Sequence, residues 1–301
     1  MVGKFAYDLK ADLKFGKNVW YGFKDNLGCL NDIKYHDSDL KGHSSMPIGN
    51  AKEGLIAFFK YVKSEVDDYI KIHKMPTDVY YSVSIPAKFP DYKKAELREC
   101  LNSSGIEYED SSFAFEPVSS LIYSLYNRDV TINKGSVSQN ALVLDIGAGT
   151  LDVSILSIKR DCSEIEAEIL AIERIDDIGG NKIDEFICDQ VEDQAPSIGK
   201  EELAHVCEKL KVTMCRSIDM DCKNILPERA NSDEQRAVRV LDGVEVRLSY
   251  KQLSDVMDMY WEIVVKTIEK ALNTLNLDSS IDDIILSGGG AKNPYIRSKV
   301  R

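Results

Sequence analysis

The chain has 301 residues, 44% of them hydrophobic and 29% charged with only 8 prolines, a composition that supports a folded core and excludes wholesale disorder. Its 38 basic and 50 acidic residues give a formal net charge of −12, which argues against nucleic-acid or anionic-membrane binding, since both need a positive surface. No apolar run approaches the ~18 residues of a membrane-spanning helix, and residues 1–8 lack a signal-peptide core. The seven cysteines form no Cys-x-x-Cys pair and only four histidines accompany them, so a reduced, cytoplasmic protein without a zinc site or disulfide framework is expected.

Residues 1–50 carry no clean periodicity. From Ala51 a helix is predicted, because Leu55, Phe59, Val62, Val66 and Ile70 recur at helical spacing with charges between them. Residues 79–85 are β-rich and stop at Pro86, which reads as a strand, and a helix is expected over 91–102. Glu116-Pro117 opens another helix, with proline at a tolerated first-turn position. The polar stretch 128–139 reads as a loop. Strands follow at 141–144, 151–158 and 165–172, joined by tight turns into an antiparallel meander. Helices come next after Gly179-Gly180 and near 200–215. Tyr250, Leu253, Met257, Tyr260, Val264, Ile268 and Leu272 form one apolar stripe, and Ser249 with Gln252 fits a capping box. The stripe leads to a buried-strand run at 284–286, then three glycines and a last short helix at 295–301. Meanders followed by helices, in two halves, predict a two-lobed mixed α/β protein.

The sharpest chemistry lies in residues 142–154. A hydrophobic strand ends in Asp145, the turn Gly147-Ala148-Gly149 follows, Thr150 adds a hydroxyl, and Asp152 returns a second carboxylate. Small turn residues let backbone N–H groups approach an anion closely. The arrangement is strand, glycine turn, strand, unlike the dinucleotide-binding and P-loop motifs, in which a helix follows the glycines. A plain hairpin is the alternative, and the two flanking aspartates with Thr150 weigh against it.

This segment resembles the second phosphate loop of the actin-like ATPases, most closely that of the heat shock protein 70 (DnaK-type) chaperone family. Six segments match in family order: 83–89 (Val-Ser-Ile-Pro-Ala-Lys-Phe), 115–122, 142–154, 178–184 (Ile-Gly-Gly-Asn-Lys-Ile-Asp), 207–215 (Cys-Glu-Lys-Leu-Lys-Val-Thr-Met-Cys) and 284–294. The resemblance implies an actin-like, ribonuclease H-like α/β fold. Residues 1–135 would form the remainder of a first lobe lacking its phosphate-1 strands. Residues 140–301 would form the second lobe, with an inserted subdomain at about 180–250 and a shortened C-terminus. It implies ATP or ADP with Mg2+ in a cleft between the lobes, and ATP hydrolysis that drives protein folding.

By the same resemblance, Asp145 holds the magnesium hydration shell and Glu116 binds another of its waters, although a carboxylate at a helix start is also favourable in its own right. Thr150 and Asp152 position the attacking water or accept its proton, and Lys10 neutralises the γ-phosphate. Gly147, Ala148, Gly149, Gly179 and Gly180 line the phosphates. Gly288, Gly289, Gly290 and Lys292 line the adenosine. On the helix near 200–215, Glu208, Lys211, Val212 and Cys215 fall on one ridge at about 100° per residue, opposite Leu203, Val206, Leu210 and Met214. The resemblance assigns the ribose to Glu208 and Lys211, with Cys215 beside them. Several positions depart from the family pattern. Val212 and Lys292 stand where it has adenine-stacking arginines, and Cys215 and Gly290 where it has serines. Weaker or less adenine-selective binding is expected. Nothing like the family's first phosphate loop precedes Lys10, and a second reading is a non-hydrolysing chaperone-like interaction module that lacks this loop by nature, which the altered adenosine residues favour. A kinase of the same superfamily is disfavoured by the chaperone-type Cys-Glu-x-x-Lys. The partners implied are a J-domain co-chaperone and a nucleotide exchange factor, with the peptide-binding domain outside this chain.

Overall fold

The computed structural model describes residues 22–28, 48–109, 112–127, 135–161, 164–221, 235–241, 243–275 and 280–300. Lys10 and most of residues 11–45 lie outside them. Backbone contacts divide the chain into two units, 1–116 and 117–301. Among the described residues no helix is long and apolar enough to cross a membrane.

The first unit holds α1 (Phe23–Asn26), α2 (Ala51–His73), β1 (Val83–Ile85), α3 (Asp91–Ser103) and β2 (Phe113–Phe115). Helix α2 starts where its sequence predicts. The Asn50 side chain accepts from the Glu53 N–H, and Lys74 ends the helix in the left-handed region at φ 52°. Gly54 inside α2 has a packing reason: a Cβ there would stand 2.2 Å from the Phe23 ring. The core gathers Leu27, Ile85, Phe89, Leu97, Cys100, Leu101 and Ile106. The expected strand at 79–85 shortens to three residues, because its parallel partner β2 offers only Phe113–Phe115 for pairing. Ser82 extends the contact by one side-chain bond, donating its hydroxyl to the Ser112 carbonyl at 2.9 Å.

The second unit is built on a four-stranded sheet. Strands β3 (Gly135–Ile146), β4 (Thr150–Asp161) and β5 (Glu164–Asp176) form the predicted antiparallel meander, and β8 (Asp283–Ser287) adds in parallel beside β3. Both faces are covered, which accounts for the unbroken apolar run at 141–144. Leu142, Leu144, Ile146, Leu151, Val153 and Ile155 face a core shared with α5 (Gly180–Val191), α6 (Lys200–Asp221) and α7 (Tyr250–Asn273). Ala141, Val143, Leu156, Ile158 and Ile285 face Leu121 of α4 (Glu116–Tyr126). The stretch expected as a loop is partly strand: from Gly135, β3 pairs with the far end of β4 through backbone hydrogen bonds that polar side chains do not prevent. Residues 128–134 lie outside the described set.

A hairpin of β6 (Gln235–Leu241) and β7 (Val244–Ser249) precedes α7. It buries Ala237, Val246 and Leu248 while Glu245 and Arg247 pair outside. The capping box at α7 is present in both directions: Ser249 Oγ accepts from Gln252 N–H at 3.2 Å, and Gln252 Oε1 accepts from Ser249 N–H at 3.0 Å. The chain ends in a 3-10 turn at Gly290–Lys292 and α8 (Pro294–Val300).

Candidate functional site

Asp145 stands one residue before the end of β3, directly opposite Asp152 on β4. Its neighbours Ile146 and Leu144 are buried, whereas Asp145 is half-buried and Ala148 in the turn is exposed. A strand buried to its last residue thus delivers a carboxylate to a rim, and the glycine turn rises beside it. The turn closes with the Gly147 N–H donating to the Thr150 carbonyl at 3.0 Å, and the Thr150 hydroxyl lies over Gly147.

The start of α5 braces this turn. Gly180 N–H donates to the Gly147 carbonyl at 2.9 Å and Asn181 N–H to the Ala148 carbonyl at 2.8 Å. Gly179 fits only because it lacks a side chain, since a Cβ would stand 2.4 Å from the Ala148 oxygen. Lys211, reaching across from α6, donates to the Gly180 carbonyl at 2.9 Å and pairs with Asp184 of α5 at 2.8 Å. Its ammonium therefore bonds the frame behind the turn. Glu208 is half-buried on the same helix, and Cys215 is half-buried against the core.

On the other flank, Ser287 at the end of β8 donates to Asp145 Oδ2 at 3.3 Å and accepts from the Ser120 hydroxyl of α4 at 3.0 Å. Gly288 follows with φ +82°, and a Cβ there would stand 2.3 Å from the Ile146 carbonyl oxygen and 2.5 Å from Asp145 Oδ1. Gly290 is packed as tightly, with its missing Cβ 2.3 Å from Ile146 Cγ2, so a serine does not fit there beside Ile146. Gly289 differs: a Cβ would meet nothing within 4 Å. Gly288, Gly289 and Lys292 are exposed.

The structure therefore brings together Asp145, Gly147, Ala148, Thr150, Gly179, Gly180, Lys211, Gly288 and Gly290, all from the second unit. Glu116 belongs to the first unit, where its carboxylate pairs with Lys24 at 2.7 Å. Lys10 falls outside the described residues.

Arg174 is the residue that sequence reasoning missed. Its guanidinium donates to both oxygens of Asp152, at 3.2 and 3.1 Å, and to Asp176 at 2.9 Å. Burial works against the Arg174 charge, but Asp152 and Asp176 outweigh it and hold the group above its ordinary value. The clue was hidden by a bulge. Counted in unbroken register from the Asp161–Glu164 pair, Asp152 would face Glu173; the irregularity between Ile155 and Leu156 moves the pairing by one and brings Arg174 opposite instead.

Residues 56–301 match the sequence profile of the Hsp70 protein family. Among curated proteins, chaperone protein dnaK3 of Synechococcus elongatus is 26% identical over 231 residues, a stretch that covers 73% of this chain and 28% of that protein. Chaperone protein DnaK of Elusimicrobium minutum is 25% identical over 230 residues, covering 72% and 34%. Chaperone protein DnaK of Buchnera aphidicola is 25% identical over 233 residues, with the same coverage. The match thus spans about a third or less of each relative's length. The mixed α/β architecture agrees with part of the actin-like, nucleotide-binding fold of that family. With a profile match over most of its length and chaperone relatives along much of the same stretch, the chain belongs to the Hsp70 family of chaperones.

Proposed function

We propose that the second unit binds ATP and ADP with magnesium at the rim formed by Asp145, the 147–150 turn and Gly288–Gly289, and that ATP hydrolysis there sets the state of an Hsp70 chaperone. The observation that carries this reading is the rim itself, a half-buried carboxylate at a strand end between two glycine turns, with Ala148 and Gly289 open to solvent. Such a rim suits a phosphate chain, because small residues let backbone groups come close. Magnesium, when bound, would supply neutralisation of phosphate charge, and Asp145 would hold it through its water shell.

The chain's own residues do the positioning. Ser287 fixes the rotamer of Asp145 through its hydroxyl bond, and Ser120 fixes Ser287 in turn. The bonds from Gly180 and Asn181 hold the turn before any ligand arrives, so its donors need no reorganisation. Thr150 would orient the attacking water, and Asp152 would take its proton. Cycling with a J-domain co-chaperone and a nucleotide exchange factor belongs to the same proposal.

The grip of Arg174 on both Asp152 oxygens favours a second reading, nucleotide binding without hydrolysis. Calorimetry with Mg-ATP, with and without chelator, tests the shared part: Asp145→Asn should weaken magnesium-dependent binding about tenfold or more. Binding that ignores both magnesium and the substitution would refute both readings. Phosphate release measured on the same samples separates them, since turnover lost in Asp145→Asn supports hydrolysis and binding without turnover supports the second.

A further inference from the structure

Helices α5 and α6 place two thiols against each other away from the rim. Cys188 of α5 and Cys207 of α6 have their sulfurs 3.1 Å apart. A disulfide bond is about 2.05 Å long, so closure asks for a shift of about 1 Å, within the reach of side-chain rotation. Cys207 is fully buried in the core, and Cys188 is half-buried at its edge. An oxidant in solvent therefore meets Cys188 first and finds the second thiol already waiting behind it. Neither sulfur has a part in the proposed nucleotide chemistry.

We propose that Cys188 and Cys207 form an oxidisable thiol pair that closes to an intramolecular disulfide on exposure to a peroxide, tying α5 to α6. The Cys188 thiolate attacks one peroxide oxygen, the O–O bond breaks, and the sulfur becomes a sulfenic acid while the other oxygen leaves as water after taking a proton. The Cys207 sulfur then attacks the Cys188 sulfur. The S–S bond forms, the S–O bond breaks, and the hydroxyl leaves as a second water with the Cys207 proton. Two thiols are oxidised and one peroxide is reduced.

The surroundings assign the order of events. Hydrogen bonding with Cys207 holds the Cys188 thiol below its ordinary value, although burial and the nearby Asp184, Asp189 and Glu185 push the other way. The same hydrogen bond, with burial, pushes Cys207 up, and Lys211 opposes this only weakly. Cys188 is thus the attacking thiol and Cys207 the resolving one. The bridge would join the helix whose start braces the 147–150 turn to the helix that carries Lys211.

The test uses the reduced chain treated with hydrogen peroxide, quenched in acid, alkylated and mapped by mass spectrometry without reduction. The expected product is one cross-linked peptide pair containing Cys188 and Cys207, lighter by two hydrogens (about 2 Da) and restored by dithiothreitol, while Cys100 stays a free thiol. In Cys207→Ser, Cys188 should accumulate as a sulfenic acid trapped by dimedone; wild-type mapping alone decides the case if that variant does not fold. A wild-type chain in which Cys188 is trapped as sulfenic acid, is over-oxidised, pairs with another cysteine, or stays reduced overturns the proposal.

Discussion

Replacing Gly179 by alanine tests the packing that backs the proposed phosphate turn. The Gly179 backbone, at φ −111° and ψ −154°, lies where any residue can sit, so the objection to a side chain is space alone. An added Cβ would stand 2.4 Å from Ala148 O, 2.5 Å from Ala148 C and 2.7 Å from Thr150 N, against an ordinary contact of 3.4 Å or more. All three neighbours are backbone, so no rotamer change relieves the overlap. The turn or the start of α5 must shift by about 1 Å, and overpacking of this kind costs about 1–3 kcal/mol. The same shift stretches the bonds from Gly180 and Asn181 to the turn, now 2.9 and 2.8 Å. Gly289→Ala is the internal control, since its Cβ meets nothing within 4 Å. Urea midpoints of the ligand-free chains and calorimetric Mg-ATP affinities read the outcome. Gly179→Ala should lose about 1–3 kcal/mol and bind about tenfold more weakly; Gly289→Ala should keep its stability and lose affinity only. Equal stability of the two variants would refute the packing argument. Unchanged affinity in both would refute the placement of the nucleotide.

Arg174→Gln should destabilise the chain by about 2 kcal/mol, because it removes a two-oxygen charged partner from a carboxylate only 15% exposed, and Asp152→Asn should restore part of that loss in a double-mutant cycle by urea unfolding. Strict additivity of the two changes would show that the pair carries no coupling. Ser249→Ala removes one half of the α7 capping box and should cost about 1 kcal/mol, checked by the shift in urea midpoint. Burial raises the Cys100 thiol to about 11 from 9.0, so the unfolded chain ionises first as pH rises. The stability held by the neutral thiol is therefore complete below about pH 9, falls through the interval, and is lost by about pH 11, a change of about 3 kcal/mol. The stability of wild type should fall relative to that of Cys100→Val by about 3 kcal/mol over that range, and parallel curves would count against the assignment.

Much of the second unit was legible because its physics is local. Period-two alternation marked the meander, the β-rich apolar run marked a strand covered on both faces, and Ser249 with Gln252 marked the start of α7. The candidate rim was equally plain, since Asp145, the glycine turn and Asp152 lie within eight residues of one another. What stayed hidden depends on distant partners. Residues 79–82 have strand-like composition yet lack pairing, because β2 is short. Gly135 and Gln139 lie in a stretch that looks like a loop yet pair, because β4 is long. Lys211 was read as a ligand-facing cation on a polar ridge, and only the packing of α5 against α6 reveals its bonds to Gly180 and Asp184. The meeting of Arg174 with Asp152 turns on a one-residue bulge that no periodicity announces.

The close fit of Gly290 against Ile146 makes the two positions epistatic. The hydroxyl that the resemblance places at 290 cannot be added alone, because the new Cβ would overlap the Ile146 Cγ2 methyl at 2.3 Å. Ile146→Leu, which moves the branch from Cβ to Cγ, removes that methyl, but the residue's Cβ at 3.0 Å and carbonyl oxygen at 3.1 Å stay close to any new side chain. A serine at 290 therefore asks both for a change at 146 and for a small backbone adjustment, and its cost depends on which residue stands at 146.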